Sequence, residues 1–156
     1  MLHLLDLHGV PYRVLRHSPV GNTERASRVR GHEVRSAAKC MITEVRGVDR
    51  PRFVLAVVEG HRRVDFKAIK RLYGRHDATL APPDLAERYG RGVVGSIPPF
   101  TFDADLDLLV DVRLLDHEMI YFNAARLDRS IALAVRDYLF VANARLARIS
   151  RPACES

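Results

Sequence analysis

Lysine is nearly missing from this 156-residue chain: of 25 basic residues, only Lys39, Lys67 and Lys70 are lysine. Cysteine is scarcer still, and Cys40 and Cys154 lack the spacing of a disulfide framework or a zinc site. No apolar run approaches the roughly 20 residues of a bilayer span. The start, Met1-Leu2-His3-Leu4-Leu5-Asp6, lacks the basic residues and long apolar stretch of a signal peptide, so a cytoplasmic protein with no membrane partner is expected. There is no G-x-S-x-G elbow, no P-loop and no G-x-G-x-x-G. The seven histidines (His3, His8, His17, His32, His61, His76 and His117) form no H-x-x-x-H pair. These absences leave the familiar nucleophilic, nucleotide-binding and zinc chemistries without their residues, and neither a metal nor a cofactor is expected. Asp103, Asp105 and Asp107 alternate as on one strand face and would suit a hard cation. The glycine and distal glutamate of a calcium loop are missing, which makes a solvated edge the expectation.

What is present is ordinary for a globular domain, with 47% hydrophobic and 28% charged residues. The length suits one domain over residues 1–156, large enough to bury a core without disulfides or metals. A net charge of +6 and a pI near 9.8 favour a polyanionic partner.

Helical turns are expected over Leu2 to His8, stopped by Gly9 and Pro11, and a short strand over Tyr12 to Leu15. Asn22 or Thr23 caps a helix to about Arg30, ended by Gly31. Lys39–Val45 and the apolar run Phe53–Val58 read as a strand hairpin about a turn at 47–51. Asp65 caps a helix to Tyr73 whose exposed face carries Lys67 and Lys70. A short strand at 78–81 follows, then a helix opened by Pro82 and Pro83. Strands follow at 106–110, 119–123 and 130–133. Val135, Leu139, Ala142, Leu146 and Ile149 fall on one stripe of a final helix, and a loose tail is expected from about residue 151. Strands and helices mix without strict alternation and without repeats. That predicts a single α+β domain with a mixed, curved sheet and helices packed outside.

Two features stand apart. Lys39 lies among small and apolar neighbours in Ser36-Ala37-Ala38-Lys39-Cys40-Met41-Ile42, in a chain that otherwise writes arginine. A lysine is a compact point charge that fits a tight pocket, and it can also simply reach out to solvent from a strand end. The second feature is Gly92-Val93-Val94-Gly95-Ser96-Ile97-Pro98-Pro99-Phe100, too rich in glycine and proline for a regular element. Its glycines permit positive φ, and its prolines remove their own N–H groups. The few remaining donors, near Gly95 and Ile97, could hold a carbonyl oxygen or the charge developing on it. A plain structural turn is the competing reading, and His17, before Ser18-Pro19, either lines a pocket or ends a strand.

Taken in order, the chain resembles the YbaK family of aminoacyl-tRNA deacylases, free-standing relatives of the editing insertion of bacterial prolyl-tRNA synthetases. The residues that carry this are Val10-Pro11-Tyr12-Arg13-Val14 with His17, Thr23, Ala38-Lys39, the Phe53–Val58 run, Arg63-Val64-Asp65, Leu80-Ala81, the Gly95-x-x-x-Pro99 loop with Phe100, and Leu109-Val110-Asp111. Gly95 to Phe102, then Phe122-Asn123-Ala124 through Leu127-Asp128 with Ser130, are similar to the YeaK-like subgroup, which clears mischarged seryl- and threonyl-tRNA. Where those relatives usually have glycine after Asn-Ala, this chain has Ala125.

The resemblance implies a barrel-like curved sheet and a hydrolase acting on the aminoacylated 3′ end of tRNA, with an aminoacyl-tRNA synthetase as a further partner. It implies that Lys39 anchors the terminal adenosine and that the Gly95–Pro99 backbone holds the ester carbonyl. It implies water as the nucleophile, helped by a hydroxyl of the terminal ribose. Gly95, with Lys39, is thereby a candidate catalytic position. Ser96, Ile97, Pro98, Pro99, Thr23 and His17 are candidates for binding the substrate. The competing expectation is a non-catalytic module that binds tRNA ends or a synthetase. Neither the amino acid removed, the tRNAs accepted nor the oligomeric state is legible from these residues.

Overall fold

The computed structural model of the chain describes residues 1–154. It is one α+β domain with mixed sheets, holding five α-helices and ten strands among the described residues. Helix α1 (Leu2–Leu7) buries Leu5, and β1 (Tyr12–Arg16) follows. Helix α2 (Thr23–Arg30) is capped by Asn22, whose side chain accepts from the Arg25 N–H at 3.0 Å, and it ends at a left-handed Gly31.

The hairpin of β2 (Ala38–Arg46) and β3 (Arg52–Glu59) places Lys39 opposite Val58. On its far edge β2 pairs antiparallel with β5 (Asp77–Leu80); β3 pairs in parallel with β6 (Leu106–Asp111). Strand β3 is therefore interior, and Val54 to Val58 are fully shielded from solvent. Leu55 and Val57 join one hydrophobic cluster and Val54, Ala56 and Val58 the other, so the sheet is covered on both faces. An unbroken apolar run, rather than an alternating one, is what such a strand requires. Helix α3 (Phe66–Leu72), capped by Asp65, packs Ile69 into the second cluster. Helix α4 (Pro83–Gly90) and the loop after it lie on the first cluster's side, contributing Ala86, Ile97 and Phe100.

A second, antiparallel sheet has the order β1, β8 (Arg129–Ala134), β7 (Met119–Arg126). A parallel bridge between Ala37 and Tyr121 brings β7 against the start of β2. The barrel-like expectation is corrected here: among the described residues one bridge joins the hydrogen-bonded ladders of the two sheets, and the sheet is not closed.

Three other expectations also change. The final helix, α5 (Val135–Ala142), stops at Asn143 in a left-handed conformation with φ of 47°. Val135, Tyr138 and Val141 bury its inner face, after which β9 (Arg145–Ala147) runs parallel to β6. Leu146 and Ile149 thus continue the apolar stripe in number but not in helix. The tail is tied down as well: β10 (Ser150–Pro152) pairs antiparallel with β4 (Arg62–Val64), and the Asp111 carboxylate accepts from the Ile149 N–H at 2.8 Å. Finally, Asp103 and Asp105 lie in a turn ahead of β6 rather than on a strand face. Asp107 accepts from the Tyr73 hydroxyl at 2.9 Å.

No helix among the described residues is long and apolar enough to cross a membrane.

Candidate active site

The start of α2, the start of β2 and the loop after α4 converge on a cleft of about 270 Å³. Its floor is apolar, built from Ile42, Ala86, Ile97 and Phe122, and its polar rim carries Thr23, Arg30, Lys39 and Asn123. Among the described residues no histidine and no carboxylate lines it. Cys40 does line it, but burial pushes its thiol well above the ordinary range, so Cys40 offers no thiolate. A nucleophile–base pair is therefore not what the cleft presents.

Lys39 enters from β2 and donates from Nζ to the carbonyl oxygens of Arg62 and, at 3.4 Å, Gly60. No carboxylate among the described residues forms an ion pair with it. Burial, reinforced by the Arg63 charge and opposed by Glu24, holds its pKa below the ordinary lysine value. The result is a cation aimed by two neutral dipoles and not neutralised, which is the electrostatic condition for holding an anion.

Gly95 forms part of the wall of the same cleft. Its φ of 91° is one that side chains rarely adopt, and a Cβ there would lie 2.9 Å from the Gly21 oxygen. Glycine is required on both counts. The Gly95 carbonyl accepts from Asn123 Nδ2 at 2.7 Å, while its N–H meets no acceptor among the hydrogen bonds of the described residues. The loop thus has its oxygen tied back and a donor left over, as an oxyanion-holding backbone needs.

The other sequence candidates divide. Thr23 and Ile97 line the cleft with Lys39 and Gly95. Ser96, Pro98 and Pro99 lie behind the wall, all buried. The Ser96 hydroxyl and N–H both donate to the Val93 carbonyl at 2.9 Å, and the Pro99 carbonyl accepts from the buried Tyr138 hydroxyl at 2.8 Å. These three shape the loop rather than face the cavity. His17 is likewise outside the lining; its Nε2 lies 2.6 Å from Ser130 Oγ.

Sequence reasoning missed Arg30. It ends α2, lines the cleft, and donates from Nε to Ser130 Oγ at 2.8 Å and from Nη2 to Asn123 Oδ1 at 2.6 Å. Burial pulls its guanidinium down to about 10. Only the three- and four-residue spacings of Arg30 from Ser27 and Ala26, the buried face of α2, could have flagged it.

Ala125 also gains a physical meaning. It sits in the bulge between Asn123 and Arg126 with φ of 61°, the left-handed region that glycine tolerates best.

Against known proteins, the model of the aminoacyl-tRNA editing domain matches residues 17–141. The chain is 33% identical over 154 residues to the multifunctional Ser/Thr-tRNA deacylase ProXp-y of Escherichia coli (strain K12), covering 98% of this chain and 92% of that protein. The crystal structure of hypothetical protein APE2540 superposes with a TM-score of 0.87 at 20% identity, covering 96% of this chain and 98% of that one. A candidate trans-editing enzyme for prolyl tRNA synthetase superposes with a TM-score of 0.74 at 20% identity, covering 90% and 87%. At that identity the two structures speak for the fold alone.

Proposed function

Because the chain belongs to the aminoacyl-tRNA editing domain family, we propose that it hydrolyses the ester of mischarged tRNA in trans, releasing serine or threonine. The observation that carries this reading is the convergence of Lys39 and the Gly95 backbone on one cleft that presents no nucleophile–base pair among the described residues.

In this reading Lys39 takes the phosphate of the terminal adenosine and so fixes the 3′ end. The ester carbonyl accepts from the Gly95 N–H. Water adds to the carbonyl carbon, and the negative charge passes to the oxygen held at Gly95. Collapse breaks the bond to the ribose oxygen, which takes the proton given up by the attacking water and leaves as the free hydroxyl of the tRNA. A neighbouring ribose hydroxyl orients the water. An aminoacyl ester is already activated, so holding the reactants in line and stabilising the oxyanion supply the rate. One such donor contributes about 2.7–4 kcal/mol. Thr23 lines the cleft where its hydroxyl can meet the substrate, and Ile97 supplies apolar floor. The +6 charge attracts the tRNA body.

The place of action in this reading is the cytoplasm, where tRNA is charged. Dependence of the rate on an added synthetase tests whether a second protein takes part. The reading itself is tested by offering the unaltered protein a panel of mischarged tRNAs. Release of serine or threonine is expected, whereas tRNA binding with every ester left intact would turn the protein into a binding module.

A further inference from the structure

We infer that Arg30 reads the acyl side chain, selecting amino acids that present a hydrogen-bond acceptor next to the ester; this rests on the deacylase reading above. The guanidinium is held on two sides, by Ser130 Oγ at 2.8 Å and Asn123 Oδ1 at 2.6 Å. It carries five N–H groups, and these bonds use two. The others meet no protein acceptor among the described residues, and no carboxylate there neutralises the charge. A planar cation fixed in direction, with donors to spare, therefore borders a cleft whose floor is apolar.

Its place relative to the chemistry gives it a task. Asn123 accepts from Arg30 through its oxygen and donates through its nitrogen to the Gly95 carbonyl at 2.7 Å. One side chain thus separates the guanidinium from the loop where the ester carbonyl is held. The first side-chain atoms of an acyl group bound there come within reach of Arg30, while Lys39 holds the other end of the substrate. A serine or threonine hydroxyl oxygen accepts from the free N–H groups, and the threonine methyl meets the apolar floor. An alanyl group of nearly the same size leaves those donors facing nothing, and a lysyl group brings a second positive charge. Sites built to bond a polar group discriminate against the analogue lacking it far better than apolar pockets discriminate by size.

The test compares kcat/KM for seryl, O-methylseryl and alanyl esters of one tRNA, in the unaltered protein and in Arg30→Met. Because the guanidinium donates, the substrate needs only an acceptor. The unaltered protein should take O-methylseryl within about threefold of seryl and alanyl at least about tenfold more slowly. In Arg30→Met the seryl-to-alanyl ratio should fall by about tenfold or more. If that variant does not fold, the ester series on the unaltered protein decides alone. O-methylseryl as poor as alanyl, or a ratio indifferent to Arg30→Met, overturns the assignment of Arg30. No hydrolysis of any ester by the unaltered protein overturns the deacylase reading, and this assignment with it.

Discussion

The Asn123 carboxamide ties the Gly95 carbonyl in place, donating to it at 2.7 Å while also donating to the Val20 carbonyl at 3.2 Å. One side chain from β7 thereby fixes the loop that carries the proposed oxyanion donor. Asn123→Asp removes both donated bonds and sets a carboxylate against the Gly95 oxygen. Arg30 gains an acidic partner in exchange, so the fold should survive. The expected outcome is a kcat lowered by about tenfold to a hundredfold, for a loss of roughly 1–3 kcal/mol of positioning. Single-turnover deacylation beside a circular-dichroism melt measures it; an unchanged kcat would detach the loop from Asn123.

Gly95→Ala brings a Cβ to 2.9 Å from the Gly21 oxygen at a backbone φ of 91°. Either the loop shifts or the strain remains, at a cost of about 1–3 kcal/mol. A shift of 1 Å is enough to cost about a hundredfold in rate. Turnover should therefore fall much further than stability, which parallel assays of rate and denaturant midpoint will separate. Gly95→Val should be worse still.

Ala125→Gly relieves a left-handed alanine, worth about 1–2 kcal/mol, and gives back part of that as chain entropy, about 0.4–1 kcal/mol. A modest net gain is expected, seen as a melting temperature higher by roughly 1–4 °C. A lower melting temperature would mean that the bulge draws support from the Ala125 methyl.

Lys39 supplies a pH dependence whose sign follows from burial. Its pKa is held below the ordinary lysine value, chiefly by desolvation, so the ammonium is lost at lower pH than on an exposed lysine. Only the charged form anchors a phosphate. Affinity for a non-hydrolysable analogue of the aminoacylated 3′ end should be full below that pKa and fall as pH rises through it. In Lys39→Arg the group stays charged, so whatever affinity remains should be flat across the same range. Titration of binding by fluorescence anisotropy checks both curves. The folding term has its own sign: between the folded and ordinary pKa values the unfolded chain binds more protons, so this group's contribution makes the protein more stable as pH rises.

Much of the fold was legible because the residues that shape it act locally. Asn22, Gly31, Asp65 and Pro83 mark helix ends by their own capping chemistry, and the apolar run at 53–58 shows β3 as doubly covered. The ribbon of β4 and β10 was not legible: each strand has three residues and is pinned by a partner far away in the chain. Asn143 ended α5 through a left-handed turn that no apolar periodicity reports. At the site, Lys39 stood out as an odd residue type and Gly95 as an odd loop. Arg30 did neither, because in a chain that uses arginine everywhere a buried one looks like the rest. Ser96, Pro98 and Pro99 belong to a motif, and a motif does not say which of its residues face the cavity and which brace it.

The most direct measurement is deacylation of a serylated or threonylated non-cognate tRNA by Lys39→Ala, with a melt to confirm the fold. Among the described residues Lys39 donates to two backbone carbonyls and no side chain, so its loss should leave the structure standing. The expected result is hydrolysis abolished at an essentially unchanged melting temperature. Full activity in the folded variant would contradict the role assigned to Lys39 and, with it, the mechanism built on the cleft.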